Sequence, residues 1–476
     1  MINLILLFPL LACLILFLFK NRALNNLMIN LYALIHFAVS LAFCLKKDFL
    51  PMFPSSKFFA VDGSNIIFLM VMSIVFLAVA IYNNGYLRND SSLTRKLRHY
   101  TYMVLIFVLS MTGAILSTNL GISWVFIEGT TLASAYLIYF HKTKHSIEAA
   151  WKYVFICSIG IALAFVGIIL LTIATGNLNS LFYSDLYNNA QLFNPFWLKL
   201  AFVFILFGIG TKMGLAPVHF WLPDAHAEAP SPISALLSAT LLNSAFLMIL
   251  NVFRVVVLAG CDSYARIMLF AMGFISLFIT AVFVYHINNY KRMLAYSSIE
   301  NMGILAIGTA LGGLAMVAAM IHLIGHSLIK ASFFLTSGNV LELYGTKKIK
   351  SVTALMKKDR KTGWLWVASF LGIAAFPPSV LFISEFLMIK TMFVQKHFIM
   401  CTVFMLLLTI VLYGLGKAVI KMAFSSPKED IEQLDSVKLS WTMYLPQIVM
   451  LIIAFVLGVY MPQGIANSIL AACVGF

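Results

Sequence analysis

The chain has 476 residues, of which 62% are hydrophobic and only 10% charged, and its mean hydropathy is +0.97. Soluble domains carry about 25% charged residues, so no aqueous core could bury this much apolar surface, and the surrounding solvent must be lipid. The net charge of +15 does not indicate nucleic acid, because the basic residues fall in short loops between apolar runs. The composition therefore predicts an all-α integral membrane protein.

The sequence offers no motif for a cofactor. Its six cysteines are scattered singly without a CxxC pair, which favours small core residues over metal or iron–sulfur ligands. It contains neither a Walker loop nor a GxGxxG that opens a helix, so a nucleotide site is not expected. The first 20 residues lack a basic leader and a small-residue cleavage site, which predicts a retained first helix and no signal peptide.

Apolar runs of membrane-spanning length follow one another along the chain, since a bilayer core takes roughly 20 residues per helix. They predict about 14 spans in one polytopic membrane domain, 1–476. The predicted spans are 2–19, 26–45, 64–85, 100–119, 121–140, 150–175, 197–218, 232–258, 264–288, 294–310, 313–342, 363–392, 398–422 and 441–461.

Lysine and arginine are distributed unevenly between the two sides. Loops after odd-numbered spans hold 20 of these residues, seven of them between Lys347 and Lys361, whereas loops after even-numbered spans hold about five. The positive-inside rule then predicts that the odd loops face the cytoplasm and that both termini lie outside it. The lysines and arginines counted for this orientation include Lys20, Lys46, Lys47, Arg88 and Lys428.

Two spans are interrupted by proline. The seventh leads into "GTKMGLAPVHFWLPDAHAEAPSP", and the twelfth contains "AAFPPSVLFISEF". Proline removes a backbone donor, and in lipid the freed carbonyls must be satisfied by protein or water, so such breaks line cavities. The breaks are five spans apart, which predicts two inverted five-helix repeats, 100–258 and 264–422, after N-terminal helices in 1–99 and before a last helix at 441–461. The alternative is two unrelated proline kinks.

A few ionisable residues lie deep in the apolar runs. A central lysine or aspartate costs about 2.5–3.5 kcal/mol to insert, so such residues are functional candidates and each needs a partner. The candidates for proton transfer are Glu128, Lys212, His322, His326, Lys330 and Glu385. Accessory candidates are Asn243, Glu300, Lys417 and His226. Glu300 is expected near a helix end, where a long side chain reaches the interface.

His322, His326 and Lys330 are spaced at i, i+4 and i+8, so they stack along one helix face over about 12 Å of rise. Histidine titrates near neutrality, and the stripe therefore predicts a proton relay. The alternatives are polar contacts between helices and a metal site at the two histidines. The metal site is disfavoured because no carboxylate or thiol accompanies them.

Glu128 and Lys212 are the opposite charges of the first half. Dry surroundings disfavour the charged form of a lysine, and a neighbouring carboxylate favours it. Making and breaking a contact between the two would therefore switch the proton affinity of the lysine. That the two side chains meet is an expectation that depends on the fold.

Several segments resemble the antiporter-like subunits of the complex I superfamily. The resemblance covers about residues 60–420, and the segment "GTKMGLAPVHFWLPDAHAEAPSPISALLSATLLN" is its most specific part. "ISWVFIEGTTLASAYLI", "HLIGHSLIKASFFLTSGNV" and "LGIAAFPPSVLFISEFLMIK" also match, while "AYSSIENMG" and the "SEF" carboxylate resemble the hydrogenase-4 component F group.

The resemblance implies two inverted five-helix repeats and a polar axis of ionisable residues at the membrane midplane. It implies that Glu128 is the carboxylate of the fifth span, Lys212 the lysine of the broken span and Lys330 the central connecting lysine. Glu385 then stands where other members have lysine. Asn243 departs from the pattern, because many members place a lysine or histidine there, and this puts the link from Lys212 to Lys330 in question.

The function predicted from these features is proton translocation in a non-redox subunit of a hydrogenase-4-like or complex I-like assembly. A pulse from a neighbouring subunit would loosen the Glu128–Lys212 pair, and the proton would pass through His326, His322 and Lys330 toward Glu385. The resemblance implies membrane partner subunits and a peripheral redox arm that carries iron–sulfur clusters and a nickel–iron centre, in the inner membrane. The alternatives are a sodium/proton antiporter subunit, an inorganic-carbon uptake subunit and a structural anchor whose ion path has decayed.

Overall fold

The computed structural model describes residues 1–19, 21–45, 57–87, 94–176, 178–426 and 438–473. Within these ranges the backbone forms helices and loops, with isolated β-bridges but no sheet, so the predicted all-α fold is confirmed. In lipid every backbone polar group needs an internal partner, which a helix supplies along its own length. The orientation cations Lys20, Lys46, Lys47, Arg88 and Lys428 lie outside the described residues.

The helices divide at the two predicted breaks. Those up to the first break are α1 (Ile2–Leu18), α2 (Arg22–Leu45), α3 (Ile66–Tyr86), α4 (Thr94–Leu116), α5 (Leu120–Ile138), α6 (Lys144–Ala174), α7 (Tyr183–Asn189) and α8 (Pro195–Met213). Those between the breaks are α9 (Trp221–Glu228), α10 (Ser231–Leu236), α11 (Leu242–Leu258), α12 (Asp262–Val284), α13 (Tyr290–Leu311), α14 (Leu314–Tyr344), α15 (Leu355–Lys358) and α16 (Arg360–Ile373). After the second break come α17 (Val380–Val394), α18 (Phe398–Phe424), α19 (Leu445–Val459) and α20 (Gln463–Ala472).

Most of these helices have membrane-spanning dimensions. In the described part of the chain, 11 helices are long and apolar enough to cross a membrane, counting α10 and α11 with the π-helical turn between them as one. The sequence prediction adds α1, α13 and the broken pair α16–α17 to these, and the total of about 14 stays a prediction. The short helices α7 and α20 were not predicted.

Both breaks have the same backbone turn. At the first, Leu215 N donates to Gly210 O at 2.9 Å, and at the second, Phe376 N donates to Leu371 O at 3.0 Å. Such a hydrogen bond closes a helix when the residue directly before the donor takes the left-handed conformation. Gly214 (φ 78°) and Ala375 (φ 50°) supply that conformation, so the predicted interruption of both helices is confirmed.

Side chains satisfy the backbone groups that the breaks set free. The indole of Trp221 donates to Thr211 O at 2.7 Å, and Ser276 of α12 accepts from Ala216 N at 2.9 Å. At the second break the hydroxyl of Ser379 donates to Gly372 O at 3.0 Å. These partners help to keep the interrupted backbone satisfied within the bundle, as lipid requires.

Glycines let the helices that carry the site approach closely. A Cβ on Gly208 of α8 would lie 2.5 Å from Gly160 O of α6, so the two backbones touch. A Cβ on Gly458 of α19 would lie 2.0 Å from Pro378 O in the second break. The helix α14 occupies the centre: 89% of an apolar 18-residue stretch of this helix is buried, against 33% of the corresponding stretch of the peripheral α18.

Candidate functional site

Lys212 lies in the last turn of α8, two residues before the glycine that ends the helix, and it is fully buried. Its Nζ donates to the hydroxyl of Tyr153 on α6 at 2.8 Å, and it lies 4.6 Å from the centroid of that ring. The same hydroxyl is 2.6 Å from Ser134 Oγ on α5. The close packing of α6 on α8 brings these groups together, so a tyrosine is the direct partner of the buried lysine.

Glu128 does not pair directly with Lys212. Its Oε2 accepts from the Thr131 hydroxyl at 3.0 Å, and the side chain is partly exposed on α5. None of the ion pairs in the described residues involves Glu128 or Lys212, so the expected Glu128–Lys212 contact is corrected by the structure. Polar groups follow one another from Glu128 to Lys212 through the α5 backbone: Thr131 bonds Glu128, the Ser134 hydroxyl donates to the carbonyl of Thr130 at 2.5 Å and lies 3.4 Å from that of Thr131, and Ser134 contacts Tyr153. We call Thr131, Ser134 and Tyr153 the ladder.

The stripe on α14 is fully buried, as its helical spacing predicts. His322 is held on both ring nitrogens, with Nε2 3.0 Å from Asn301 Oδ1 on α13 and Nδ1 2.9 Å from Ser384 Oγ on α17. His326 has no hydrogen-bond partner on either ring nitrogen among the described residues. A buried polar atom without a protein partner is costly unless water reaches it. The two histidines therefore differ: the ring of His322 is fixed by two hydrogen bonds, whereas both ring nitrogens of His326 are buried without a protein partner among the described residues.

Lys330 is the innermost cation of the stripe. Its Nζ donates to Leu294 O on α13 at 2.7 Å and lies 6.0 Å from the centroid of the Phe334 ring. His226 of α9 stacks on the same phenyl ring, with centroids 4.9 Å apart, and neither of its ring nitrogens has a partner in the described part of the chain. His226, an accessory candidate from the sequence, is thus brought next to Lys330 directly after the first break.

Asn243 links α11 to α14 despite being uncharged. Its Nδ2 donates to Ser327 Oγ at 2.7 Å, and Ser327 is the residue after His326. The side chain is buried, and its Oδ1 has no partner among the residues described. It follows a π-helical turn at Leu237–Leu241, a feature often found at functional sites. The position is a polar contact with the central helix where a lysine or histidine was expected from the resemblance.

Glu300 and Glu385 line one cavity of about 240 Å³ between α13, α16, α17 and α18. Glu300 lies at the middle of α13 and is buried, so its expected position near a helix end is corrected: Asn289 caps the helix, which begins at Tyr290 and not at residue 294. Glu385 is partly exposed, and apolar side chains form most of the remaining wall. Two carboxylates in one apolar-walled space repel each other when both are ionised, which favours a shared proton.

Lys417 does not belong to the buried axis. It lies on the outer face of α18, exposed, and its Nζ donates to the hydroxyl of Tyr285 at 2.9 Å. Its place in an apolar run made it a candidate, but a helix at the periphery of a membrane protein is apolar on both its inner and its outer face. The exposed ring of Tyr413 stacks on Tyr285, and such groups are typical of a membrane interface.

Two further buried histidines, His36 and His219, were absent from the candidates. His36 of α2 is fully buried, with Nδ1 2.7 Å from Ser73 Oγ and Nε2 3.0 Å from Thr112 Oγ1. Because both nitrogens are satisfied by protein, the group joins α2, α3 and α4 as a structural contact. Among the residues that the structure describes, no three His, Cys, Asp or Glu side chains come together as metal ligands.

The chain matches the family model described as NADH:quinone oxidoreductase/Mrp antiporter, TM, over residues 117–412. It is 33% identical to the hydrogenase-4 component F homolog of Methylacidiphilum infernorum (isolate V4), with 97% of each chain covered. Its fold is similar to a chain of the membrane-bound sulfane sulfur reductase, an archaeal respiratory membrane complex (TM-score 0.85, 20% identity, 100% of this chain and 97% of that one). It is also similar to a chain of the Mrp complex from Dietzia sp. DQ12-45-1b (TM-score 0.86, 17% identity, 99% and 96% covered).

The match covers more than half of the chain and includes every residue of the axis, from Glu128 to Glu385. The resemblance stated from the motifs, including that to the hydrogenase-4 component F group, is confirmed. This chain belongs to the NADH:quinone oxidoreductase/Mrp antiporter family of membrane subunits.

Proposed function

We propose that the chain is the proton-translocating, non-redox subunit of a hydrogenase-4-like membrane complex. The observation that carries the proposal is a row of buried ionisable groups. The row contains two fully buried lysines, Lys212 and Lys330, two histidines whose ring nitrogens lack partners among the described residues, and a cavity with two carboxylates. Placing each ionisable group inside a membrane costs free energy, and such groups typically mark ion or proton pathways. A row of them therefore supports proton transport along it.

The cycle begins at the first break. Lys212 holds its proton while it donates to Tyr153, and Glu128 acts on it through the ladder of Thr131 and Ser134. A neighbouring subunit changes the position or the charge of the partly exposed Glu128. This alters the hydrogen bonds of the ladder, and the protonated form of Lys212 is then stabilised less. The tyrosine thus takes the place of a direct ion pair as the switch.

The proton then moves inward from α8 to α14. His226 and Lys330 both contact one phenyl ring, and water at the open nitrogens of His226 would bridge the two. Along α14 the order is Lys330, His326 and His322, so His322 comes last, next to Ser384. Glu385 and Glu300 receive the proton in their cavity and release it from there. This order replaces the one inferred from the sequence.

The proposed setting is the inner membrane, with both termini outside the cytoplasm, other membrane subunits beside the chain and a peripheral redox arm. Iron–sulfur clusters and a nickel–iron centre would belong to that arm, and this chain would hold no cofactor. Electron transfer there would supply the pulse at Glu128.

The first test is to tag the chain, extract it gently from its own membranes and identify the co-purifying proteins by mass spectrometry. A nickel–iron hydrogenase large subunit together with iron–sulfur proteins is expected. Inverted vesicles that contain the same complex should acidify when electrons are supplied, with or without sodium. Recovery of antiporter subunits alone, or strict dependence on sodium, would replace the redox drive with ion exchange. A carbonic-anhydrase-like partner would instead indicate inorganic-carbon uptake.

A further inference from the structure

A second cavity lies far from the carboxylates, at the end of the bundle where α12 turns into α13. It measures about 800 Å³ and is formed by the turn at 285–289, the start of α13 and the segment 345–351 that follows α14. Among the residues that line it are Phe283, Arg292, Tyr296, Lys348 and Lys350. None of these belongs to the proton path proposed above.

The walls of this cavity are held together by backbone hydrogen bonds. Tyr290 N donates to Lys347 O at 3.1 Å, and Ile349 N donates to Asn288 O at 2.8 Å. The two loops therefore form a small antiparallel bridge, and the cavity exists before any ligand arrives.

The charge of the cavity is positive. No aspartate or glutamate is among the described residues that line it, whereas Arg292, Lys348 and Lys350 are. Arg292 already bonds Asp224. Lys348 and Lys350 are exposed and have no acidic partner in the described part of the chain. Two unpaired cations in a preformed hollow indicate an anionic ligand.

The cavity continues onto the outer apolar surface of α12. Phe283 lines it, stacks on Tyr296 and is 49% exposed, and Phe278 and Val282 on the same helix are 58% and 47% exposed. A ligand that filled only the basic part would leave this apolar surface uncovered. An anionic headgroup with hydrocarbon chains covers both.

We propose that this cavity binds an anionic phospholipid, with its phosphate at Lys348 and Lys350 and its acyl chain along Phe283 and the outer face of α12. Basic pockets between membrane helices on the cytoplasmic side suit such headgroups. The proposal goes beyond proton transfer and requires only that the chain spans the membrane. A lipid there would hold the 345–351 segment against the turn that starts α13, the helix that carries Glu300.

The test uses the intact complex in detergent, stripped of lipid and titrated with tetraoleoyl cardiolipin while native mass spectrometry counts bound lipid. The double substitution Lys348→Gln/Lys350→Gln is expected to weaken binding about 30-fold, from the loss of two charges near a membrane surface. The matched control Lys357→Gln/Arg360→Gln removes two exposed charges of the same basic cluster outside the cavity and should leave binding unchanged.

Equal weakening in both double variants would overturn the proposal in favour of diffuse attraction to the basic surface. Binding of palmitoyl-oleoyl phosphatidylcholine as tight as that of cardiolipin, or no cardiolipin binding at all, would also overturn it. Inorganic phosphate that displaces the lipid from the wild type would assign the site to free phosphate. Loss of a partner protein from the Lys348→Gln/Lys350→Gln complex with unchanged lipid binding would assign it to an acidic protein segment.

Discussion

The two broken helices contain the same type of backbone turn but carry different ionisable side chains. At the first, Lys212 lies in the half-helix before the turn, enclosed and bonded to a tyrosine. At the second, the partly exposed Glu385 lies in the half-helix after the turn and lines a cavity together with Glu300. The row therefore has a direction: one end, the closed end, holds the enclosed Lys212, and the other, the open end, holds Glu300 and Glu385 in their cavity. The turn alone gives no direction, because it is the same in both.

The largest expected effect is at the closed end. Replacing Lys212 by alanine removes the charge that the Tyr153 hydroxyl contacts, and proton pumping should fall to background while electron transfer to a soluble acceptor survives. The fold should persist, because a buried charge costs about 2.5–3.5 kcal/mol to insert. Acidification of inverted vesicles measures the first and acceptor reduction the second.

Lys199→Ala is the matched control, because it makes the same change near the other end of α8, where the ammonium lies 5.8 Å from the ring of Tyr264. It should pump as the wild type does. Full pumping by Lys212→Ala would remove the closed end from the mechanism altogether.

The open end should tolerate single losses better. Glu300→Gln and Glu385→Gln each leave one carboxylate in the cavity, so each should reduce pumping, and only the double variant should abolish it. An infrared difference spectrum should show the carbonyl stretch of a protonated carboxyl in the wild type and lose it in the double variant. Glu342→Gln, on the last turn of α14, serves as control. If Glu300→Gln pumps normally and Glu385→Gln not at all, Glu385 acts alone.

A smaller effect is expected from the ladder. Tyr153→Phe keeps the ring but removes the hydroxyl that joins Lys212 to Ser134, and a hydrogen bond to a charged group is worth enough to slow pumping about tenfold. Tyr100→Phe also removes a buried hydroxyl, one on α4 that bonds Asn83 of α3, and should not change pumping. Equal rates for the two variants would exclude the tyrosine as the link between Glu128 and Lys212.

The smallest effect belongs to a residue that lies at neither end. Lys417→Gln removes an exposed ammonium that contacts only Tyr285 in the described structure, and pumping should remain at the wild-type rate. The same vesicle assay measures it. A defect comparable to that of Lys212→Ala would place α18 in the path and dissolve the contrast between the two ends.

The sequence was sufficient for both breaks and for the central stripe. Proline disfavours the interior of a helix because it lacks the backbone N–H, so Pro217 and the Pro377–Pro378 pair located the interruptions. The spacing of the two histidines and Lys330 placed them on one face, since helical geometry depends on local residues alone.

Contacts between side chains on different helices could not be predicted from the sequence. Nothing distinguishes Tyr153 in "WKYVFICS" from other interfacial aromatics, and its role depends on how closely α6 and α8 pack. Glu300 was misplaced because hydropathy put the start of its helix four residues late, whereas Asn289 sets it by accepting from two backbone amides. The exposure of Lys417 could not be predicted from its sequence, because the lipid-facing and buried sides of a membrane helix are equally apolar.

The contact between Gly458 and Pro378 has a mechanical consequence. With the α19 backbone against the carbonyl of the second break, that segment has no room to retreat toward the end of the chain. Any movement of the second break therefore has to be away from α19. Only a residue without a Cβ fits at position 458, so the length of α19 that contacts the second break depends on one glycine.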